Sequence, residues 1–221
     1  MLTPMGGAPP FGFAGDMIVL IYVATMSAVL IMLTGFGSAS PYAFLGSARE
    51  MMMLLCVEPV LVIVLIAGAV KSGTIATGAI ADWHYQHGPV MSMVIGGIAF
   101  LLALQPQTGK LPFDIAEADQ EIMGGPFIEQ SGPRLAILKW TIWAKQLVFV
   151  FLFVELFVPW PRTGNFPIDL LISMAKVLVV LVVVALVDVV NPRVRIDQAM
   201  NYFMRVAFSS LAALAFAVIG M

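Results

Sequence analysis

The chain has 221 residues, 61% of them hydrophobic and only 11% charged, with a net charge of −2. Soluble domains carry roughly 25% charge, so this composition excludes an ordinary soluble core, and a mean hydropathy of +0.99 points to lipid as the solvent. No basic tract is long enough to hold nucleic acid, and the single Cys56 can neither close an internal disulfide nor hold an iron–sulfur cluster without other ligands.

In chain order, the start MLTPMGGAPPFGF lacks the basic segment and cleavage site of a secretory signal and reads as a loop or interfacial lead-in. A spanning helix needs about 20 apolar residues. Six runs qualify, at 16–35, 51–71, 89–105, 134–158, 170–190 and 202–220. The third is short, and the fourth is long enough to emerge from the membrane at its start. The runs are continuous rather than alternating, which argues against a β-barrel. The expected fold is an all-α polytopic bundle, a single integral membrane domain over 1–221.

Basic residues divide unevenly between the connections. Arg49, Lys110, Arg134, Arg193, Arg195 and Arg205 fall in or beside 36–50, 106–133 and 191–201, against Lys71 and Arg162 on the other side. The positive-inside rule then places loop 106–133 in the cytoplasm of a multi-pass cell-membrane protein, with both termini outside.

Ionisable residues in apolar sequence are costly, and each is a functional candidate. Glu58 lies well inside the second run, followed by Pro59, which removes an amide hydrogen and can kink the helix. Arg49 and Glu50 close the preceding glycine- and serine-rich loop, where Arg49 is placed to pair with a carboxylate of loop 106–133. That loop holds Asp114, Glu117, Asp119, Glu121 and Glu129. Asp114 and Glu117 have capping-box spacing, and with Glu121 they fall near one face if the segment is helical. Carboxylates so close resist ionising together, as a proton relay requires, and a solvated acidic helix is the competing reading. Glu129 and Arg134 are placed to pin the loop to the next helix.

Lys139 has the spacing of an interfacial anchor with Trp143, whereas Lys145 lies deeper and needs an acidic partner to stay charged. Glu155, near the far end, is expected to snorkel outward. Lys176 and Asp188 lie twelve residues apart, about 18 Å along a helix, and so need separate partners. For Asp188 these are Arg193 or Arg195. Asp82, His84 and His87 place three potential ligands within six residues of a loop, a pattern that interfacial aromatic sequence explains better than a metal site.

Three segments carry a family resemblance: GFGSASPYAFLGSAREMMMLLCVEP, GKLPFDIAEADQEIMGGPFIEQSGPRLAILKW and VVNPRVRIDQAM, in that order. They resemble the membrane subunit of complex I that helps form the quinone chamber. The chain is more similar still to the homologous subunit of membrane-bound nickel–iron hydrogenases and related sulfur-reducing complexes. The resemblance implies that Glu58 begins a lateral proton path. It implies that Arg49, Asp114, Glu117, Glu121 and Glu129 line or support a chamber beside a peripheral arm, and that Arg193, Arg195 and Asp197 form a charged loop near the end. Arg49–Glu50 and Val57–Glu58–Pro59 favour the hydrogenase-like branch, since an aromatic usually precedes this glutamate in quinone reductases.

The resemblance also implies partners. These are peripheral iron–sulfur and large hydrogenase-like subunits, antiporter-like membrane subunits, surrounding lipid, and a companion chain supplying helices that the family has before residue 1. Iron–sulfur clusters and a nickel–iron centre would sit in those partners, with no cofactor in this chain. The expected role is a non-catalytic coupling and anchoring subunit in which charge changes at Asp114, Glu117 and Glu121 reach Glu58 and then Lys145 or Lys176. A purely structural anchor and an independent solute or ion transporter remain the alternatives.

Overall fold

The apolar runs become helices in a computed structural model that describes residues 15–220. The lead-in sequence before Gly15 lies outside the described residues. In chain order the elements are α1 (Asp16–Phe36), α2 (Pro41–Ser72), α3 (Thr77–His87), α4 (Met91–Gln107), α5 (Asp119–Ile122), a 3-10 turn (Gly125–Phe127), α6 (Gly132–Phe157), α7 (Phe166–Val190) and α8 (Ile196–Ile219). Among the described residues, α1, α2, α6, α7 and α8 are long and apolar enough to cross a membrane, and α4 is a shorter apolar helix. The protein is a polytopic helical membrane protein.

Helix α2 organises the bundle, packing against α1, α4 and α8, while α4 also meets α8 and α6. Its 32 residues rise about 48 Å at 1.5 Å each, against a hydrocarbon core of about 30 Å. Pro41 starts it in a position where the missing amide costs no hydrogen bond, and Gly73 ends it in the left-handed region with its amide on the Ala69 carbonyl. The excess length is the first turns, so Arg49 and Glu50 lie on a helix rather than in the expected loop 36–50. The buried seam joins Val57, Val60 and Val64 of α2 to Phe100 and Leu104 of α4, Val150 and Leu152 of α6, and Phe203 and Val206 of α8. Helix α7 sits at the edge against α6, with Leu171, Leu178, Leu186 and Val189 exposed as lipid requires.

Residues 77–87, read from the sequence as a loop, are helix α3. It packs on α2 and α6 by burying Ile80, Ala81 and His84, one helical face. Eleven residues are too few for a span, and a helix this short leaves no long apolar run in the sequence.

Candidate functional site

The acidic loop is held down by its apolar side chains. Phe113, Ile115, Ala118 and Ile122 are all buried, and only Asp119–Ile122 is helical. The expected capping box at Asp114 is absent, and Asp114, Glu117 and Glu121 do not share a helical face. Phe113 and Ile115 point inward instead from either side of a tight turn at Asp114, in which the Ile115 amide donates to the Phe113 carbonyl at 2.8 Å. Phe113 packs on Tyr202 and Phe203 of α8, with ring centroids 4.9 and 5.6 Å away. The amide of Val194 donates to the Pro112 carbonyl at 2.9 Å. Gln105 Nε2 donates to the carbonyls of Leu111 at 2.6 Å and Val184 at 3.3 Å, tying the loop to α4 and α7.

Two close approaches fix the loop against α2. A Cβ on Gly46 would lie 2.7 Å from Gly125 Cα and 2.9 Å from the Ala116 carbonyl oxygen, so only hydrogen fits. Gly125 has φ +51 and is pressed against the same carbonyl.

Charge completes the clamp and splits the loop carboxylates into two groups. Glu121 Oε2 accepts from Arg49 at 2.8 Å and from Arg193 at 3.0 Å, so the expected pairing of Arg49 with the loop is met. Arg193 goes to Glu121 rather than to Asp188. Lys139 donates to Glu117 at 2.6 Å and lies 4.7 Å from the centre of the Phe127 ring, a role its anchor-like spacing did not disclose. Glu129 and Arg134 are exposed and form no ion pair with each other. The chain reverses through Gly124 and Gly125, both with positive φ, between the acidic segment and Glu129.

The hydrogen bond from Arg49 and the nearby Arg193 hold the Glu121 carboxyl below its ordinary range. A depressed carboxylate contributes stability above its unfolded pKa, about 4.3, and loses it as pH falls through the folded value. The hydrogen-exchange protection of residues 118–125, the observed rate set against the intrinsic rate at the same pH, is therefore expected to fall as pH drops from about 5 to about 3. Glu121→Gln should show low protection at every pH. An equally pH-dependent Glu121→Gln protein would contradict this assignment.

Asp114 and Glu117 face a cavity instead. It measures about 40 Å³ and lies between the loop, α1, α2, the end of α4 and α6. That is room for about three or four waters. Glu50 of α2 and Lys145 of α6 line it together with Asp114 and Glu117. Glu50, expected to support the loop, therefore belongs to the polar path itself. The carboxylates of both Glu50 and Glu58 act on the Lys145 ammonium. Glu58 lies eight residues along α2 from Glu50, about 12 Å deeper, and its Oε1 is buried without a hydrogen-bond partner. Pro59 has no amide to offer the Leu55 carbonyl, so this stretch of α2 carries an unmet acceptor beside an ionisable group. The order is Asp114 and Glu117, then Glu50, then Lys145, then Glu58.

The remaining candidates stand elsewhere. Arg195 and Asp197 are exposed at the start of α8, where the Gln198 side chain accepts from the Arg195 amide at 3.2 Å. Lys176 lies at the opposite end of the bundle from the loop, donating to the Val158 carbonyl at 3.0 Å. Glu155 does not snorkel outward. It is 7% exposed, because α7 covers that face of α6. Asp82 pairs with Arg162 at 2.7 Å, and His87 Nδ1 bonds the Trp83 carbonyl at 2.9 Å. His84 Nδ1 bonds the Leu156 carbonyl at 2.8 Å. Burial lowers the His84 pKa although that bond opposes the shift. The neutral ring donates from Nδ1 and helps fasten α3 to α6.

This combination, a bundle with an acidic loop sealed onto one end above an intramembrane glutamate, defines a class of membrane protein. Residues 1–219 match the NADH dehydrogenase family, and the chain belongs to it. It is 33% identical to formate hydrogenlyase subunit 4 of Escherichia coli (strain K12) over 195 residues, 85% of this chain and 64% of that protein. It is 34% identical to hydrogenase-4 component C of the same organism over 189 residues, 81% of this chain and 59% of that protein. The chain thus spans about three fifths of the length of these two relatives. The fold is shared with a chain in the structure of an archaeal membrane-bound sulfane sulfur reductase, at a TM-score of 0.75 and 24% identity, covering 96% of this chain and 82% of that one.

Proposed function

We propose that this chain is the ion-coupling and anchoring membrane subunit of a hydrogenase-type or sulfur-reductase-type respiratory complex. The observation that carries the reading is the cavity in which Asp114 and Glu117 of the loop meet Glu50 and Lys145 of the bundle, with Glu58 beyond. A soluble redox arm docks on the loop and receives low-potential electrons from a carrier such as ferredoxin. Its iron–sulfur clusters, and a nickel–iron centre in a hydrogenase-type arm, lie in partner chains. Reduction there alters the field at Asp114 and Glu117. Protons redistribute through cavity water to Glu50 and Lys145, and Glu58 passes the change to antiporter-like subunits in the membrane. The loop faces the cytoplasm of a cell-membrane complex.

The similarity to hydrogenase and formate hydrogenlyase components supports this reading over quinone reduction. The loop's rigid attachment supports docking, since a docking platform must hold its shape. Purification of the tagged chain from its native membrane tests the assignment. The expected result is co-purification with an iron–sulfur subunit and antiporter-like membrane chains. Intact nickel-ligating cysteines in the large soluble partner would mark hydrogen chemistry, and their partial loss another acceptor. Recovery of the chain alone, active in ion transport in liposomes, would replace this reading with that of an independent transporter.

A further inference from the structure

A second set of ionisable groups gathers at the end of α6 and α7 away from the acidic loop. A cavity of about 10 Å³, lined by Glu155, Arg162, Asp169, Ser173 and Lys176, separates the two helices there. That volume suits about one water. Arg162 Nη2 faces this region buried and without a hydrogen-bond partner, a donor that such a water would satisfy.

The groups divide by task. Asp169 builds the turn into α7, accepting from the amide and hydroxyl of Thr163, each at 2.7 Å, and from the Gly164 amide at 3.1 Å. Arg162 is held by Asp82 at 2.7 Å and lies 4.8 Å from the Tyr85 ring centre. Lys176 also ties into the connection, donating to the Val158 carbonyl at 3.0 Å. It lies across the cavity from Glu155, and the two interact electrostatically. The other titratable or charged groups facing this region are Asp82 and His84 from α3, Arg162 from the connection and Asp169 from α7.

The two polar regions are insulated from each other. Lys145 and Glu155 are ten residues apart on α6, about 15 Å, and every residue from Leu147 to Val154 is apolar. Phe149, Val150, Leu152, Phe153 and Val154 are buried. Phe100 of α4 closes against this stretch, with its ring 6.4 Å from Phe149 and 6.0 Å from Phe153. A dry, close-packed segment of this kind holds no water chain.

We propose that Glu155 and Lys176 form a second protonation site, which exchanges protons with the aqueous phase at the face opposite the acidic loop. The proton taken up by the Glu155 carboxylate comes from hydronium of the aqueous phase, and the cavity between the pair has room for about one water to relay it. The site goes beyond the coupling role and does not depend on it, because the apolar stretch of α6 keeps it apart from Glu50, Lys145 and Glu58.

The test uses the full chain in sealed vesicles of one orientation, with the carboxyl stretch followed by infrared difference spectroscopy. Glu155→Gln identifies the band, and Glu155→Asp, which moves the band but keeps the acid, does so if the glutamine variant fails to fold. The band is expected to follow the pH of the face opposite the loop. Lys176→Met should shift its midpoint by about one pH unit or more, and Glu58→Gln should leave it unchanged. A band that follows the loop-side pH, fails to titrate, or ignores Lys176→Met would overturn the proposal.

Discussion

Lys145→Met is expected to reduce the ions moved per electron by about tenfold or more in the assembled complex, while electron transfer through the soluble arm continues. Lys145 acts on both Glu50 and Glu58, on the far side of the cavity from the loop. Without it, two acidic groups on α2 face the same interior with no countercharge between them. Removing one partner of a fully buried ion pair costs about 3–5 kcal/mol. Lys145 is only half-buried, so the cost is smaller here, but about 1.4 kcal/mol already makes a tenfold change in rate. Lys145→Arg retains the charge and should keep a substantial part of the coupling. The check is simultaneous measurement of ion uptake and electron flux in vesicles. Full coupling in Lys145→Met would remove Lys145 from the path.

Gly125→Ala is expected to release the acidic loop. A methyl group there meets the Ala116 carbonyl oxygen, which is backbone and cannot swing aside as a flexible side chain does. The residue also sits at φ +51, where an L side chain costs roughly 1–2 kcal/mol. Overpacking adds about 1–3 kcal/mol. The helices should survive, because the collision lies outside the seam of α2, α4 and α8. Limited proteolysis should therefore cut between residues 116 and 130 in the variant and leave the parent intact. A variant as resistant as the parent would show that the loop is not held by the close fit of Gly125 against the Ala116 carbonyl.

The helical architecture was largely legible, because continuous apolar runs of spanning length admit few other folds. What periodicity could not show was the extra length at the start of α2. Pro41–Arg49 reads as loop sequence, with its glycine, serine and proline, yet it folds as helix because the acidic loop covers it. The loop misled in the opposite direction. Its charge spacing suggested a helix, but burying Phe113 and Ile115 mattered more than placing three carboxylates on one face. Arg49, Glu58 and Lys145 stood out as costly charges in or beside apolar sequence, and the pairing of Arg49 with the loop followed from charge alone. Glu50 was assigned to support, because nothing local separates a helix-start glutamate from one that lines a cavity. Its place depends on Lys145, ninety-five positions later. The Glu155–Lys176 arrangement was hidden for the same reason, since Glu155 alone reads as a snorkelling side chain and Lys176 only as a charge that needs a partner.

Stoichiometry in Glu58→Gln is the most direct test of the link between loop carboxylates and membrane charge. Glutamine keeps the size and polarity of the side chain and removes only its ability to exchange a proton. With the complex intact and its electron flux preserved, ions moved per electron should fall to near zero. A stoichiometry equal to that of the parent would mean that Asp114, Glu117, Glu50 and Lys145 do not deliver their charge through Glu58.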